Sequence, residues 1–97
     1  MTKLERQWIQ LITAWGCIVC FEQGRGHVPC AVHHMLSGGR RMGHLFTIGL
    51  CDPGHHQNAP KDSGEISRHP SLKAFEARYG KEEDLRQRTK RLVGWVG

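Results

Sequence analysis

Four cysteines and seven histidines in 97 residues are the groups in this chain best equipped for chemistry. Cys17 and Cys20 form a Cys-x-x-Cys pair, the spacing that lets two thiolates grip one zinc ion through a tight turn. A closed tetrahedral site needs two further ligands. Cys51 lies just past a strand-like run, so a hairpin can return it to the knuckle. The fourth ligand is His55 or Cys30. Cys51 and His55 stand four residues apart and share one face if the chain is helical from Pro53 onward, a spacing that favours His55; Cys30 would complete a four-thiolate site instead. The competing reading of Cys17 and Cys20 as a redox pair lacks the βαβ setting that such pairs occupy.

A structural zinc leaves most of the histidines unexplained. His33-His34 is a doublet at the end of an expected strand, where neighbouring side chains point to opposite faces. One imidazole can then hold a metal while the other turns toward a substrate. His55-His56 repeats the device on an expected helix, where consecutive residues differ by about 100° around the axis. His55 can face the knuckle while His56 faces the hairpin. The residues therefore suggest a closed centre (Cys17, Cys20, Cys51, His55) and an open one built on His33, His34 and His56, with the vacant coordination positions a catalytic metal requires. Arg40 and Arg41, in a glycine-rich loop, are suited to a phosphate.

Positioning these groups is the task of a small number of elements. Leu4, Trp8, Leu11, Ile12 and Trp15 recur at helical spacing over residues 3–15, and Gly16 stops the helix. Residues 27–35 and 45–50 read as two strands joined by the loop 37–43, an antiparallel hairpin. Asp52 suits a helix cap and Pro53 its first turn. Residues 57–68 read as a loop. Residues 71–79 read as a helix ended by Gly80, with Leu72, Phe75 and Tyr79 on one side. A last helix over 82–95 carries Leu85, Leu92 and Val93 on a sparse apolar face and Arg86, Arg88, Lys90 and Arg91 as a basic surface.

With 38% apolar residues the core is thin, and a domain of this size often needs a metal or disulfide staple. No apolar run is long enough for a membrane span, and residues 1–6 lack the apolar block of a secretory signal. The expectation is a cytoplasmic protein, where cysteines serve metals more readily than disulfides. Fourteen Lys and Arg against nine Asp and Glu give a net charge of +5, which suits a polyanionic partner, nucleic acid first.

These residues also resemble known families. A Cys-x-x-Cys, a His-His doublet on a first strand and a Leu-Cys…His-His after a second are similar to the HNH nucleases, whose ββα-metal motif is often built on a zinc knuckle. More narrowly, Cys17-Ile18-Val19-Cys20, Val32-His33-His34-Met35, Gly38-Gly39-Arg40-Arg41, His44, Ile48-Gly49-Leu50-Cys51, His55-His56, His69 and Phe75-Glu76-Ala77-Arg78-Tyr79-Gly80 resemble the Ref family of phage recombination-enhancement nucleases, described as RecA-dependent. The similarity spans roughly residues 16–85.

The resemblance implies an α+β fold. It would have a zinc-knuckle ββα-metal (HNH/His-Me finger) core at 16–58, an N-terminal helix at 1–15, and a loop with two C-terminal helices at 59–97, all one domain. It implies that His33 ligates the catalytic metal, that His34 is the general base, and that His56 is a further ligand. His69, shortly before the Phe-Glu-x-x-Tyr-Gly helix, would complete the metal set. His44 falls where HNH enzymes usually carry the Asn that orients the base, so the letter departs there. Gly54 is an extra residue between Cys51 and the doublet. The longer basic N-terminal extension of Ref proteins is replaced by a short amphipathic helix.

The expected function is a metal-dependent DNA endonuclease, monomeric, of phage or prophage origin in a bacterial cytoplasm, acting in recombination with RecA filaments. Its cofactors would be a structural Zn²⁺ and a second divalent cation (Mg²⁺, Mn²⁺ or Zn²⁺). The alternatives are a non-catalytic, zinc-containing nucleic-acid-binding module, which leaves the second histidine set without a task, and an adaptor docked by its last helix.

Overall fold

In the computed structural model, which describes residues 1–95, the chain begins with helix α1 (Lys3–Trp15). Thr2 and Glu5 close a reciprocal capping box at its start, satisfying amides that the first turn leaves open. Of the expected stripe, Trp8 and Ile12 are buried, Leu11 and Trp15 are half-buried and Leu4 is exposed. Trp8 also donates from Nε1 to Thr47 Oγ1 (2.9 Å), and Thr47 donates in turn to the His44 carbonyl (2.9 Å), so α1 is tied to the second long strand by a satisfied buried network.

Cys17 caps a short helix, α2 (Ile18–Glu22), whose Ile18, Val19 and Cys20 are buried. Strand β1 (Ala31–His34) pairs antiparallel with β4 (Thr47–Leu50) in the register Ala31↔Leu50, Val32↔Gly49, His33↔Ile48, His34↔Thr47. The expected hairpin is present, but its first strand is four residues long, where the apolar letters suggested nine. The backbone before it is used otherwise: the Val28 carbonyl accepts the Cys17 amide (2.9 Å), which holds the knuckle against this lead-in segment. The intervening loop contains its own small hairpin, β2 (Leu36–Ser37) with β3 (Arg40–Arg41), turned by Gly38 and Gly39 at φ of 58° and 80°. Two successive positive φ values suit glycine and match the twist of a two-residue hairpin.

After β4 the structure departs from expectation. Residues 52–58 form turns, and the helix anticipated from Pro53, which was to be the helix of the ββα-metal motif, is absent. The His55 amide donates to Cys51 Sγ (3.3 Å), and the Gly54 amide donates to the Gln57 carbonyl (2.7 Å). Gly54 sits at φ 145°, outside the helical range. Helices resume with α3 (Leu72–Tyr79) and α4 (Glu82–Val93). No helix among the described residues is long and apolar enough to cross a membrane.

The largest core cluster takes Cys17, Ile18, Val19 and Cys20 from α2 and its cap, Ile48, Leu50 and Cys51 from β4 and its end, Phe75 from α3 and Leu85 from α4. It thus draws on both segments after the first helix, although the last two positions of the 59–97 segment lie outside the described residues. Helix α4 corrects two expectations. Leu92 is exposed, and Thr89 lies buried beside Leu85. Of the expected basic surface, Arg86 is buried: it donates to the Leu45 carbonyl (2.9 Å), pairs with Glu83 and lies 4.5 Å over the Phe46 ring. Arg88 is bound by the Glu22 carboxylate through two nitrogens. These arginines brace α4 against its neighbours.

Gly49 marks a close approach of backbones in the core. A Cβ there would lie 2.5 Å from the Gly16 carbonyl oxygen and 2.7 Å from Cys30 Sγ. The backbone cannot swing aside as a long side chain can, so Gly49→Ala is expected to cost about 1–3 kcal/mol, as overpacked cores do. Thermal unfolding checks this, and an unchanged Tm would show that β4 has room to move.

Candidate metal centres

Two groups of ligand-type side chains converge among the described residues. In the first, Cys17, Cys20, Cys51 and His55 are all buried. Nδ1 of His55 lies 3.6, 3.5 and 3.3 Å from the sulfurs of Cys17, Cys20 and Cys51, and the Cys20 and Cys51 sulfurs are 3.6 Å apart. A tetrahedral ion with sulfur at about 2.3 Å and nitrogen at about 2.0–2.1 Å would have edges of about 3.8 and 3.6 Å, so the donor set has the size of a four-coordinate site. Two backbone amides reinforce it, from Cys20 to Cys17 Sγ (3.4 Å) and from His55 to Cys51 Sγ (3.3 Å). The second of these replaces the helix that the four-residue spacing suggested, and still brings His55 to the knuckle. Cys30, the alternative fourth ligand, stands outside the group, with its thiol directed at the Ile12 carbonyl (3.6 Å).

The electrostatics favour a cation here. The hydrogen bond between Cys17 and Cys51 pushes the Cys17 thiol up and pulls Cys51 down, while burial pushes Cys20 up to about 11. Three sulfurs in one pocket cannot all ionise without a positive partner. Burial opposes charge on His55, yet its hydrogen bonds with Cys51 and Glu65 raise its pKa overall.

Glu65 was not visible in the sequence as part of this centre. Its Oε1 lies 2.6 Å from His55 Nε2 and accepts from Gln23 (2.7 Å) and Tyr79 (3.0 Å). Those bonds, Gln23 foremost, hold its carboxyl down at about 2. A carboxylate on Nε2 leaves Nδ1 bare toward the sulfurs, the arrangement by which outer groups orient a ligating imidazole. Glu65→Ala is accordingly expected to weaken metal binding at this centre by about 10–100-fold. Competition with a chromophoric chelator measures this, and parental affinity would show that Glu65 only decorates the surface.

The second group is His33, His56 and His69. Their rings form a nearly equilateral triangle, with centroids 5.3, 5.3 and 5.2 Å apart. His33 comes from β1 and is 2% exposed. His56 and His69 are set side by side by backbone pairing, because the Arg68 amide donates to the His55 carbonyl (2.8 Å) and the His69 amide to the His56 carbonyl (3.0 Å). The doublet at 55–56 thus serves both centres from turns, without a helix. Burial first, then the neighbouring cationic groups, holds His56 and His69 below the ordinary histidine range, so both favour the neutral form that ligates metals. Buried Nδ1 of His56 has no hydrogen-bond partner among the described residues. An unsatisfied buried polar atom costs about 1–3 kcal/mol.

Glu82, at the start of α4, is the second carboxylate missed in the sequence. Its Oε2 contacts His33 Nε2 and accepts from Arg68 Nε (3.3 Å). Burial opposes its charge, but His33 and Arg68 keep its pKa below the usual carboxylate value.

His34 turns away from the triangle, as strand alternation requires, and its Nε2 meets His44 Nδ1 at 3.1 Å. Burial, with Arg41 and His44 adding to it, lowers its pKa, so it favours the free-base form. Arg40 and Arg41 are exposed on β3. The structure therefore brings His33, His56 and His69 together, pairs His34 with His44, and leaves the two arginines on the surface. A cleft of about 450 Å³ reaches His69, lined also by Asn58, Ser67 and Ser71.

Residues 1–93 match the family described as "Recombination enhancement, RecA-dependent nuclease". The chain belongs to this family. Its description names a nuclease, a dependence on RecA and a place in recombination, and the two ligand clusters give this family member a built means of holding metal. No curated protein matches the sequence.

Proposed function

We propose that this chain is a metal-dependent DNA endonuclease of the HNH type that hydrolyses phosphodiester bonds in DNA carrying RecA filaments. One observation carries the reading. Three imidazoles from separate segments converge within 5.3 Å of one another, beside a second, fully buried Cys₃His cluster. A binding module needs only the buried cluster. The family description supports the nuclease reading and the dependence on RecA. With it we take a cytoplasmic, monomeric enzyme of phage or prophage origin in a bacterial host.

The buried cluster is assigned a structural Zn²⁺, whose preference for thiolate and imidazole fits that donor set. His33, His56 and His69 would hold the second ion, which supplies polarisation of the scissile phosphate and charge stabilisation at the leaving 3′ oxygen. Imidazole ligands suit Zn²⁺ better than Mn²⁺ or Mg²⁺, which prefer oxygen.

His34 is the general base. In the tautomer whose Nε2–H donates to His44 Nδ1, the His34 Nδ1 carries the lone pair and takes a proton from water. The water oxygen bonds to phosphorus as the P–O3′ bond breaks, and the leaving oxygen takes a proton from solvent, giving a 5′-phosphate and a 3′-hydroxyl. His44 orients His34, the task that HNH enzymes usually give an Asn. Arg40 and Arg41 neutralise neighbouring phosphates. The HNH reading rests on this division of roles, since His56 lies in turns where the motif's helix would be.

The test is nicking of supercoiled plasmid by purified chain with Zn²⁺, Mn²⁺ or Mg²⁺, and of single-stranded DNA coated with RecA. Cleavage that depends on the ion supports the enzyme. DNA binding by a chain holding one ion, without cleavage in any of these conditions, would instead establish the binding module.

A further inference from the structure

We propose that Glu82 is a positioning residue of the second centre, holding the His33 ring so that its other nitrogen faces His56 and His69. The inference rests on reading the histidine triangle as a metal centre and adds a residue to it. His33 is buried in a strand, and Nε2 of its ring is taken by Glu82 Oε2. A carboxylate can only accept, so a ring proton sits on Nε2, and in the neutral ring the lone pair is then on Nδ1. The first centre shows the same device in this same chain. There Glu65 accepts from His55 Nε2, while Nδ1 of that ring lies within 3.6 Å of all three sulfurs. Each cluster therefore contains one imidazole whose Nε2 is held by a glutamate.

Glu82 is itself fixed. Its side chain is 12% exposed, and Arg68 donates to the same oxygen that meets His33. Arg68 adjoins His69, so the brace returns to the segment that places the other two rings. Among the described residues neither His56 nor His69 has a carboxylate within hydrogen-bond reach; the nearest, Asp52, stands 3.9 Å from His56 Nδ1. Arg68 Nη1 meets His69 Nδ1 at 3.4 Å, and Glu82 is the carboxylate that meets the triangle. The consequence is that α4, through its first residue, controls how tightly the second ion is held.

The experiment loads the full chain with Co²⁺ and titrates it against a chromophoric chelator, following thiolate-to-cobalt absorption for the first centre and total cobalt per chain for both. The parent should hold two ions. Glu82→Ala should weaken the second by about 10–100-fold, the usual effect of losing an outer-shell partner, and leave the first unchanged. Glu82→Gln, which can still accept from Nε2 without the charge, should fall between. If Glu82→Ala also loses the thiolate bands, Glu82→Gln decides alone: weakened second binding with intact bands supports the role. Parental affinity in a folded variant overturns it. A parent that takes up one ion only removes the triangle as a metal centre, and the inference with it.

Discussion

Cys17→Ala and Cys51→Ala are each expected to abolish the folded state at room temperature, and chelation of the parent should do the same. The reason lies in where the sulfurs sit. Cys17, Cys20 and Cys51 are members of the core cluster, and they join the start of α2 to the end of β4 across 31 residues or more of chain. A metal that binds only the folded chain adds its binding free energy to folding, and structural sites of this kind contribute about 10–16 kcal/mol. Domains of ordinary size have a net stability of only about 5–15 kcal/mol, so the loss is of the same order as everything else combined. Circular dichroism and thermal melts in excess chelator provide the measurement. Cys30→Ser is the control, because Cys30 lies outside the cluster; it should keep its cooperative transition. A chelated chain that still melts cooperatively near the parental temperature would show that the apolar core suffices and that the cluster is an accessory.

The first centre was legible because its logic is local. Cys-x-x-Cys and Cys-x-x-x-His are short spacings, and the hairpin that joins them announces itself in the apolar run at 45–50. The reading nevertheless reached His55 by the wrong backbone. The four-residue spacing suggested a helix, whereas a turn with the His55 amide on Cys51 Sγ presents the same side chain. Glu65 and Glu82 were not legible. They meet their histidines from 10 and 49 residues away, and nothing in the local pattern separates them from the other carboxylates. Arg86 and Arg88 failed in the opposite sense. Their letters read as a solvated face, but long-range partners at Leu45, Phe46 and Glu22 hold them against the fold. Helical periodicity reports which face is apolar; it does not report which charges are paired across the molecule. His34 illustrates the intermediate case. Alternation along a strand separates it from His33, but only the folded chain shows that His44 is what it meets.

That pairing leads to the other large effect. His34→Ala is expected to slow DNA cleavage by about 10²–10⁴-fold, the usual contribution of a general base. The fold, both metal centres and DNA affinity should remain close to parental. The ring is half-buried, touches His44 rather than the triangle, and belongs to neither ligand cluster, so its removal leaves each donor set complete. His56→Ala gives the contrast. It should be as inactive, but through loss of the second ion, since two imidazoles from a three-membered set bind far less well than three. Single-turnover nicking read alongside metal content separates the two routes: activity lost with two ions retained assigns proton transfer, and activity lost with one ion assigns the metal. His44→Ala should show a smaller loss than His34→Ala, because the base survives but its ring is no longer held. If His34→Ala cut at the parental rate, the base would have to be sought among the groups lining the cleft beside His69, and β1 would contribute only His33 to the chemistry.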